Sequence, residues 1–527
     1  MSVVGTSFLV LVPFAAADWR EPSIARRAGH ALPHEDPGAK CALAEGKDTK
    51  GDNAEKKSRP KFTIGKETTY VTGPRDEDGY IDYAAALNKR LRQGVTPANN
   101  ANVLLWTALG PHPEGAAMPP DFFQWLGIQA PLERGAYFID LFPYIKDHLK
   151  VEPREDDDEI FQQLDRCTQR PWTAKEHPDM ASWLKANEKP LALVVDAAKR
   201  SRYFSPLVPS KAKKGSSGLI GALLPGVQKS RGLANALAAR AMLRVGEGAY
   251  HKAWQDLLAC HRLGRLVARG GTLIEGLVGI AIDNVASKAD LAFLERSKPN
   301  AKRIENCLRD LQRLPPFPET ADKVDLGERF FFLDNVMMMD RYGIQHLENL
   351  SDGGGSKGSN PLADRALTGI DWDPALQTAN RWYDRLAAAM REKDRRSRQK
   401  KLDQIEADLR ALKKKIVAGE MAKLLRGGNK ATSKLLGDIL ISLLVPALSK
   451  VQTAGDRAKQ TQNNLEVAFA LAWYQRDHGR YPKNLDALAP KYLGQIPQDV
   501  FSGKALIYRP SGNGYLLYSV GVNGKDD

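Results

Sequence analysis

The stretch from Leu233 to Leu294, LANALAARAMLRVGEGAYHKAWQDLLACHRLGRLVARGGTLIEGLVGIAIDNVASKADLAFL, constrains the fold more than any other part of the chain. Leu233, Leu237, Ala241 and Val245 recur one helical turn apart, which lines them along a single helix face. Gly246 and Gly248 interrupt the stripe, and Ala253, Leu257, Cys260 and Gly264 resume it on a second helix. The spacing predicts a helical hairpin.

The hairpin sits in a chain of 527 residues, too long for one core to organise alone, with 43% hydrophobic content to build two or three folding units. Residues 1–17 read as a signal peptide: Val3 to Val12 is apolar, Pro13 breaks the run, and Ala15 to Ala17 precede Asp18 as a cleavage site requires. No Lys or Arg precedes Arg20, so a buried apolar segment is the alternative. Residues 18–61 mix Pro, Gly and charge without period and read as a disordered tether. A mainly helical domain is expected over 62–204, a flexible linker over 205–231, and a helical domain over 232–400. A basic helical connector over 401–438 and a C-terminal unit over 439–527 complete the organisation.

Several motifs invite chemistry and have plainer explanations. Glu155 to Glu159 is a run of acids, but calcium loops alternate their ligands around a turn-forming Gly, whereas contiguous acids suit the first turn of a helix. His177-Pro178-Asp179 reads as a turn and helix cap. Asp373 reads as the cap of a helix that runs through Trp382 and Tyr383. Phe330 to Phe332 and Met337 to Met339 read as core. The four cysteines, Cys41, Cys167, Cys260 and Cys307, form no C-x-x-C pair and no disulfide framework, and Cys260 and Cys307 are expected as buried free thiols. No phosphate loop, H-E-x-x-H, G-x-S-x-G or dinucleotide fingerprint is present.

The formal net charge of +14 is unevenly spread: residues 381–430 hold 16 Lys or Arg against 7 acids. Within them Leu402, Ile405, Leu409, Leu412 and Ile416 recur at the spacing of a coiled-coil seam, which either pairs with another chain or folds back on its own domain. Interleaved aromatics are lacking, so nucleic acid is not the expected partner and a solvated helix face is the default. Leu435 to Leu448, interrupted by Asp438, is short for a membrane span and reads as a buried or interfacial helix. A membrane surface could be met through 381–448.

The turn Gly248, Tyr250, Ala253 is similar to the second half of a tetratricopeptide repeat. No second copy follows at a period of about 34 residues, so a lone α-hairpin is expected rather than a repeat array. A broader resemblance lies at the C-terminus. The segment LLVPALSKVQTAGDRAKQTQNNLEVAFALAWYQRDHGRYP resembles the long helix and following turn of bacterial prepilin-like proteins. Its continuation, LDALAPKYLGQIPQDVFSGKALIYRPSGNGYLLYSVGVNGKDD, looks like the C-terminal β-region of the major pseudopilin of type II secretion. The residues agree with that shape. Gln462 to Arg476 is helical, Tyr481-Pro482 forces an extended exit, and Ala505–Arg509 and Tyr515–Val520 alternate like two strands of a hairpin. Leu506, Tyr508, Leu516 and Tyr518 are expected to supply its packing face.

The resemblance implies a mainly α protein with a small α+β pseudopilin-like module, a helix plus an antiparallel hairpin. It also implies a calcium ion on the C-terminal loop, with Ser519, Asn523 and Asp526 or Asp527 as ligands; a plain solvated tail is the alternative. A prepilin leader is absent from the position before this helix, so cleavage by prepilin peptidase and pilin-like polymerisation are not expected. The functional expectation is a non-enzymatic bacterial cell-envelope protein, exported or membrane-associated, that meets protein partners through this tail. The alternatives are a hydrolase housed in the helical body and an intracellular, cytoplasmic helical scaffold.

Overall fold

A computed structural model describes residues 59–113, 118–149, 158–209, 211–212, 215–216, 218–222, 224–343, 370–415, 428–444, 446–512 and 514–526. The signal peptide, most of the tether, Cys41, Glu155 to Asp157, Ile416 and Asp527 lie outside them. The architecture is mainly helical, with a two-stranded antiparallel hairpin near the C-terminus.

The central hairpin forms as its periodicity requires. Helices α8 (Pro225–Gly246), α9 (Tyr250–Val267) and α10 (Leu273–Arg296) pack side by side. Leu233, Leu237, Ala241, Ala253, Leu257, Cys260 and Ala286 are wholly buried between them. The closest approach is at Gly264 and Gly279. A Cβ at Gly264 would lie 2.7 Å from the Gly279 carbonyl oxygen, so only glycine lets the α9 and α10 backbones meet there. A capping box starts α10: the Thr272 hydroxyl accepts the Glu275 amide, and the Glu275 carboxylate accepts the Thr272 amide.

Around this centre lie α1 (Tyr83–Leu91), α2 (Ala101–Leu109), α3 (Pro120–Leu126), α4 (Leu141–Leu149), α5 (Asp158–Gln169), α6 (Pro178–Ala186) and α7 (Glu188–Ala197) on one side. Helix α11 (Ala301–Gln312) follows α10. Helix α12 (Thr320–Lys323) passes through a π-helical turn, Val324–Glu328, into α13 (Arg329–Tyr342). Next come α14 (Asp373–Met390), α15 (Arg395–Lys415), α16 (Gly428–Leu444) and the 33-residue α17 (Pro446–His478), before strands β3 (Ile507–Ser511) and β4 (Gly514–Tyr518); the two-residue strands β1 (Lys211–Ala212) and β2 (Gly215–Ser216) pair antiparallel ahead of α8.

The basic helix folds back on its own chain. Leu402, Ile405 and Leu409 of α15 are buried beside α14 and α16, and Arg395 and Arg398 pair with Asp456 of α17. Leu440 and Ile441 of the apolar segment are buried in the same core. No helix among the described residues is long and apolar enough to cross a membrane. Phe330, Phe332, Met337 and Met339 are core, and Cys167, Cys260 and Cys307 are buried free thiols.

Four details depart from the sequence reading. Residues 205–231 are pinned along part of their length rather than forming a flexible linker. Leu207 exchanges both backbone bonds with the Asn88 side chain, Leu219 and Val227 are buried, and α8 already begins at Pro225. Asp373 lies one residue inside α14, and its carboxylate accepts the Thr63 amide at 2.7 Å instead of capping the helix. The C-terminal unit expected to begin at 439 has no boundary there, because Ile439 to Leu444 belong to α16, which packs on α14.

The fourth concerns the hairpin face. Tyr508 pairs with Leu517 and Pro510 with Tyr515, so Tyr508, Tyr515 and Leu517 face the core while Leu516 is 51% exposed. The two-residue turn closes at Ser511 and Gly514, and this register sets the inward residues of β4 one position away from Leu516 and Tyr518.

Two substitutions test this packing by chemical denaturation. Gly279→Ala drives a methyl into the α9 backbone and lowers stability by about 1–3 kcal/mol. Leu517→Ser costs about 1–2 kcal/mol, whereas Leu516→Ser stays within about 0.5 kcal/mol. Equal costs for the two leucines would refute the register.

Candidate functional site

Three of the polar clusters among the described residues bear on function. The first is inside the central helices. His261 on α9 is fully buried and held from both ring nitrogens by α10, Nδ1 to Asp283 Oδ1 and Nε2 to Asp290 Oδ2, each at 2.8 Å. Arg265, one turn on, reaches Asp283 at 3.2 Å, the Pro315 carbonyl at 2.6 Å and Gln462 of α17 at 3.0 Å. Burial alone would strip the proton from His261. The Asp290 and Asp283 carboxylates outweigh it and push the imidazolium up to about 9. Burial also opposes ionisation of both aspartates. Asp283, faced by His261 and Arg265, is held below the usual carboxylate range, while Asp290, faced by His261 alone, is left above it.

The second cluster lies where the π-helical turn meets the start of α10. Glu275 is buried in the capping box, the Lys323 ammonium donates to the Gly270 carbonyl, and Glu328 accepts the Leu273 amide at 3.4 Å. Burial raises Glu275 and brings Glu328 up to about 7, and it lowers Lys323 to about 8 although Glu275 opposes it. Arg329 extends the network to Asp325 at 2.6 Å and Asp384 at 2.7 Å, beneath the ring of Tyr70. Tyr70 sits in a turn at φ 63°.

The third place is open to solvent. A cleft of about 590 Å³ lies between the first turns of α15 and the loops before β3 and after β4. Four cations line it, Arg395, Arg396, Lys400 and Lys504, against one carboxylate, Asp403. Arg395 is fixed by Asp456 and stacked on Phe501, and Arg396 donates to the Ser502 carbonyl at 3.4 Å. The side chains of Lys400 and Lys504 make no hydrogen bond or ion pair among the described residues. The loop that carries Lys504 is built on Asp499, a buried carboxylate that accepts the amides of Phe501 at 2.7 Å, Ser502 at 3.2 Å and Val520 at 2.9 Å. A second cleft of about 580 Å³ runs between α9 and α11, with Trp254 and Cys307 among its lining. Burial pushes the Cys307 thiol far up, against formation of the thiolate.

Of the residues singled out as calcium ligands, Asp527 lies outside the described residues and the other three each hold a local partner. Ser519 Oγ accepts the Gly521 amide at 3.1 Å and Asn523 Oδ1 accepts the Lys525 amide at 3.2 Å. Asp526 holds the Tyr518 hydroxyl at 2.5 Å and Arg509 at 3.3 Å. Among the described residues no group of three or more His, Cys, Asp or Glu side chains converges as a metal site. Asn523 instead lines the basic cleft. At the other candidate motif, His177 stands at the start of α6 with Asp179 in its first turn, and its Nδ1 meets Gln163 at 3.0 Å. The two buried clusters were not singled out by sequence, although Asp283 and Asp290 carry a signal, and of the open cleft only the basic stretch that supplies Arg395, Arg396 and Lys400 was. They lie seven residues apart on an otherwise apolar helix, which puts both on one buried face.

The His261 cluster makes stability depend on pH. A folded His261 keeps its proton up to about 9, against 6.5 for the free side chain, so the folded protein binds the extra proton between those values. Its contribution, about 1–3 kcal/mol, is complete below pH 6.5 and disappears as pH rises through 9. Titration of labelled imidazoles by NMR, alongside the unfolding midpoint, checks this. An imidazole at 261 that titrates near 6.5 would refute it.

No protein-family model, curated protein or solved structure matches this chain, and the functional reading rests on its own residues.

Proposed function

We propose that the chain is a non-enzymatic bacterial cell-envelope protein, related to secretion, that binds partner proteins through a pseudopilin-like C-terminal region. One observation carries the reading. The long α17 and the β3–β4 hairpin follow one another as in the resemblance, and the basic cleft opens on the loops that flank this hairpin. Leu465, Phe469, Leu471, Leu488 and Leu506 of this region are buried in one core with the central helices, so the body presents the region rigidly. The apolar start of the chain, ending in Ala15 to Ala17, supports export.

A catalytic reading has one observation in its favour, the Glu275, Lys323 and Glu328 cluster, where burial brings a carboxyl and an ammonium toward neutrality as acid-base catalysis needs. Glu275 and Lys323 are buried and Glu328 is half-buried, and the three tie the start of α10 to the turn before α13. Helix-to-helix fastening accounts for the cluster more simply.

Fractionation of native cells with mass spectrometry of the mature N-terminus tests the proposal. The expected result is recovery with the envelope and a chain that begins at Asp18. Recovery in the cytosol with Met1 retained would overturn it.

A further inference from the structure

We propose that the cleft between α15 and the C-terminal loops holds an extended acidic segment of a partner protein, with its carboxylates on Arg396, Lys400 and Lys504. The proposal rests on reading the C-terminal region as an interaction surface and names the chemistry of what it takes.

Charge selects the sign of the ligand. Of the cations on and beside α14 and α15, several are paired within the chain, while Lys413 to Lys415 stand in solvent at the far end of α15. Arg385, Arg391, Arg395, Arg398 and Lys401 are each neutralised by a carboxylate of the same chain, respectively Asp408, Asp322 with Asp325, Asp456 for both Arg395 and Arg398, and Glu392. Lys400 has no such partner, and Arg396 has only a long bond to a neutral carbonyl. Arg396 and Lys400 are one turn apart on one face of α15, and Lys504 approaches from a loop more than a hundred residues away. Two independent segments thus bring uncompensated ammonium and guanidinium groups to one cavity. A solvated helix face would not need the second.

Shape and lining choose among anions. A cavity of about 590 Å³, open along one side, admits several side chains of a passing chain rather than a single ion. Gln399 and Gln404 in its lining donate to Asp403 and Asp408, each at 2.8 Å, which turns their side-chain oxygens to accept from a peptide backbone, and Val522, 42% exposed at its rim, offers an apolar contact. A nucleic acid would want exposed aromatic faces for its bases, and the one aromatic ring here, Phe501, is buried under Arg395. The site is also pre-organised, since Arg395 is fixed by Asp456 and the Lys504 loop by Asp499, so little ordering entropy opposes binding.

Fluorescence anisotropy on the purified full chain tests the site with a labelled eight-residue peptide of alternating Glu and Val. The same peptide with Gln for Glu, inorganic phosphate and a single-stranded oligonucleotide serve as competitors. The expected result is saturable binding that weakens as salt rises and is displaced by neither the Gln peptide nor phosphate. Lys400→Glu with Lys504→Glu weakens it about tenfold or more, while Lys413→Glu with Lys414→Glu, an equal charge change at the far end of α15, leaves it within about twofold. Lys400→Gln with Lys504→Gln gives an intermediate loss, and circular dichroism shows every variant folded. Absence of peptide binding, equal loss in both reversal pairs, or displacement by phosphate or by the oligonucleotide at lower concentration would overturn the assignment. Location in the cell does not enter this measurement, so its failure and a failure of the envelope reading are told apart.

Discussion

The arrangement of the molecule turns on the buried contact between α9 and α10. Gly264 and Gly279 let the two backbones touch, and that approach brings His261 within reach of both Asp283 and Asp290. The balance of charge inside is close: an imidazolium and a guanidinium face two carboxylates. Burying such groups costs several kcal/mol per ion, and their attraction recovers this only when geometry is good on all sides. Here one oxygen of each carboxylate, Asp283 Oδ2 and Asp290 Oδ1, has no partner among the described residues, which lowers the net stability the cluster adds. Its effect is on register. A shift of α10 along α9 by one residue would leave four buried charges unpaired, an outcome far costlier than any loss of apolar contact.

That register is passed on to the C-terminus. Arg265 reaches out of the cluster to Gln462, and Phe469 of α17 packs on Trp254 of α9 at 5.7 Å between ring centroids. The tail is therefore fastened by a polar bond and an aromatic contact to the same helix that holds His261. On the other side Asp456 of α17 takes Arg395 and Arg398 of α15, so the basic helix is located relative to the tail by two further ionic contacts. Helix α17 is the part on which both sides converge.

How much of this could be read in advance depended on whether the information was local. The α8–α9 hairpin, the seam of Leu402, Ile405 and Leu409, and the existence of α17 and a hairpin after it all follow from periodicity and turn residues within a few positions of each other. The inward face of β4 depended on where the turn closes, and a two-residue turn against a longer one flips Leu516 and Leu517. The polar clusters depended on partners far apart in sequence: Asp283 and His261 are 22 residues apart, and Arg265 and Gln462 are 197 apart. No window of sequence holds both ends. The merging of tail and body into one core escaped for the same reason, because the apolar face of α17 has the same pattern whether a small sheet or a large body covers it.

The basic surplus of residues 381–430 shows how far composition can mislead about where charge acts. Counted along the sequence it is one block. In three dimensions much of it cancels against Asp322, Asp325, Glu392, Asp408 and Asp456, which come from up to 69 residues away, and Arg410, Lys413, Lys414 and Lys415 project into solvent at the end of α15. What stays concentrated is the small group at the start of α15, and it stays so because the Asp499 loop adds Lys504 opposite it. Two ammonium groups held beside one cavity repel each other, weakly at the surface and more as water is excluded. That repulsion is relieved by an incoming carboxylate, which gains the attraction of both while removing a standing cost from the free protein. A fold that fastened Arg395, Arg398 and Lys401 beside the cleft to acids of its own has left this pair for a ligand to neutralise.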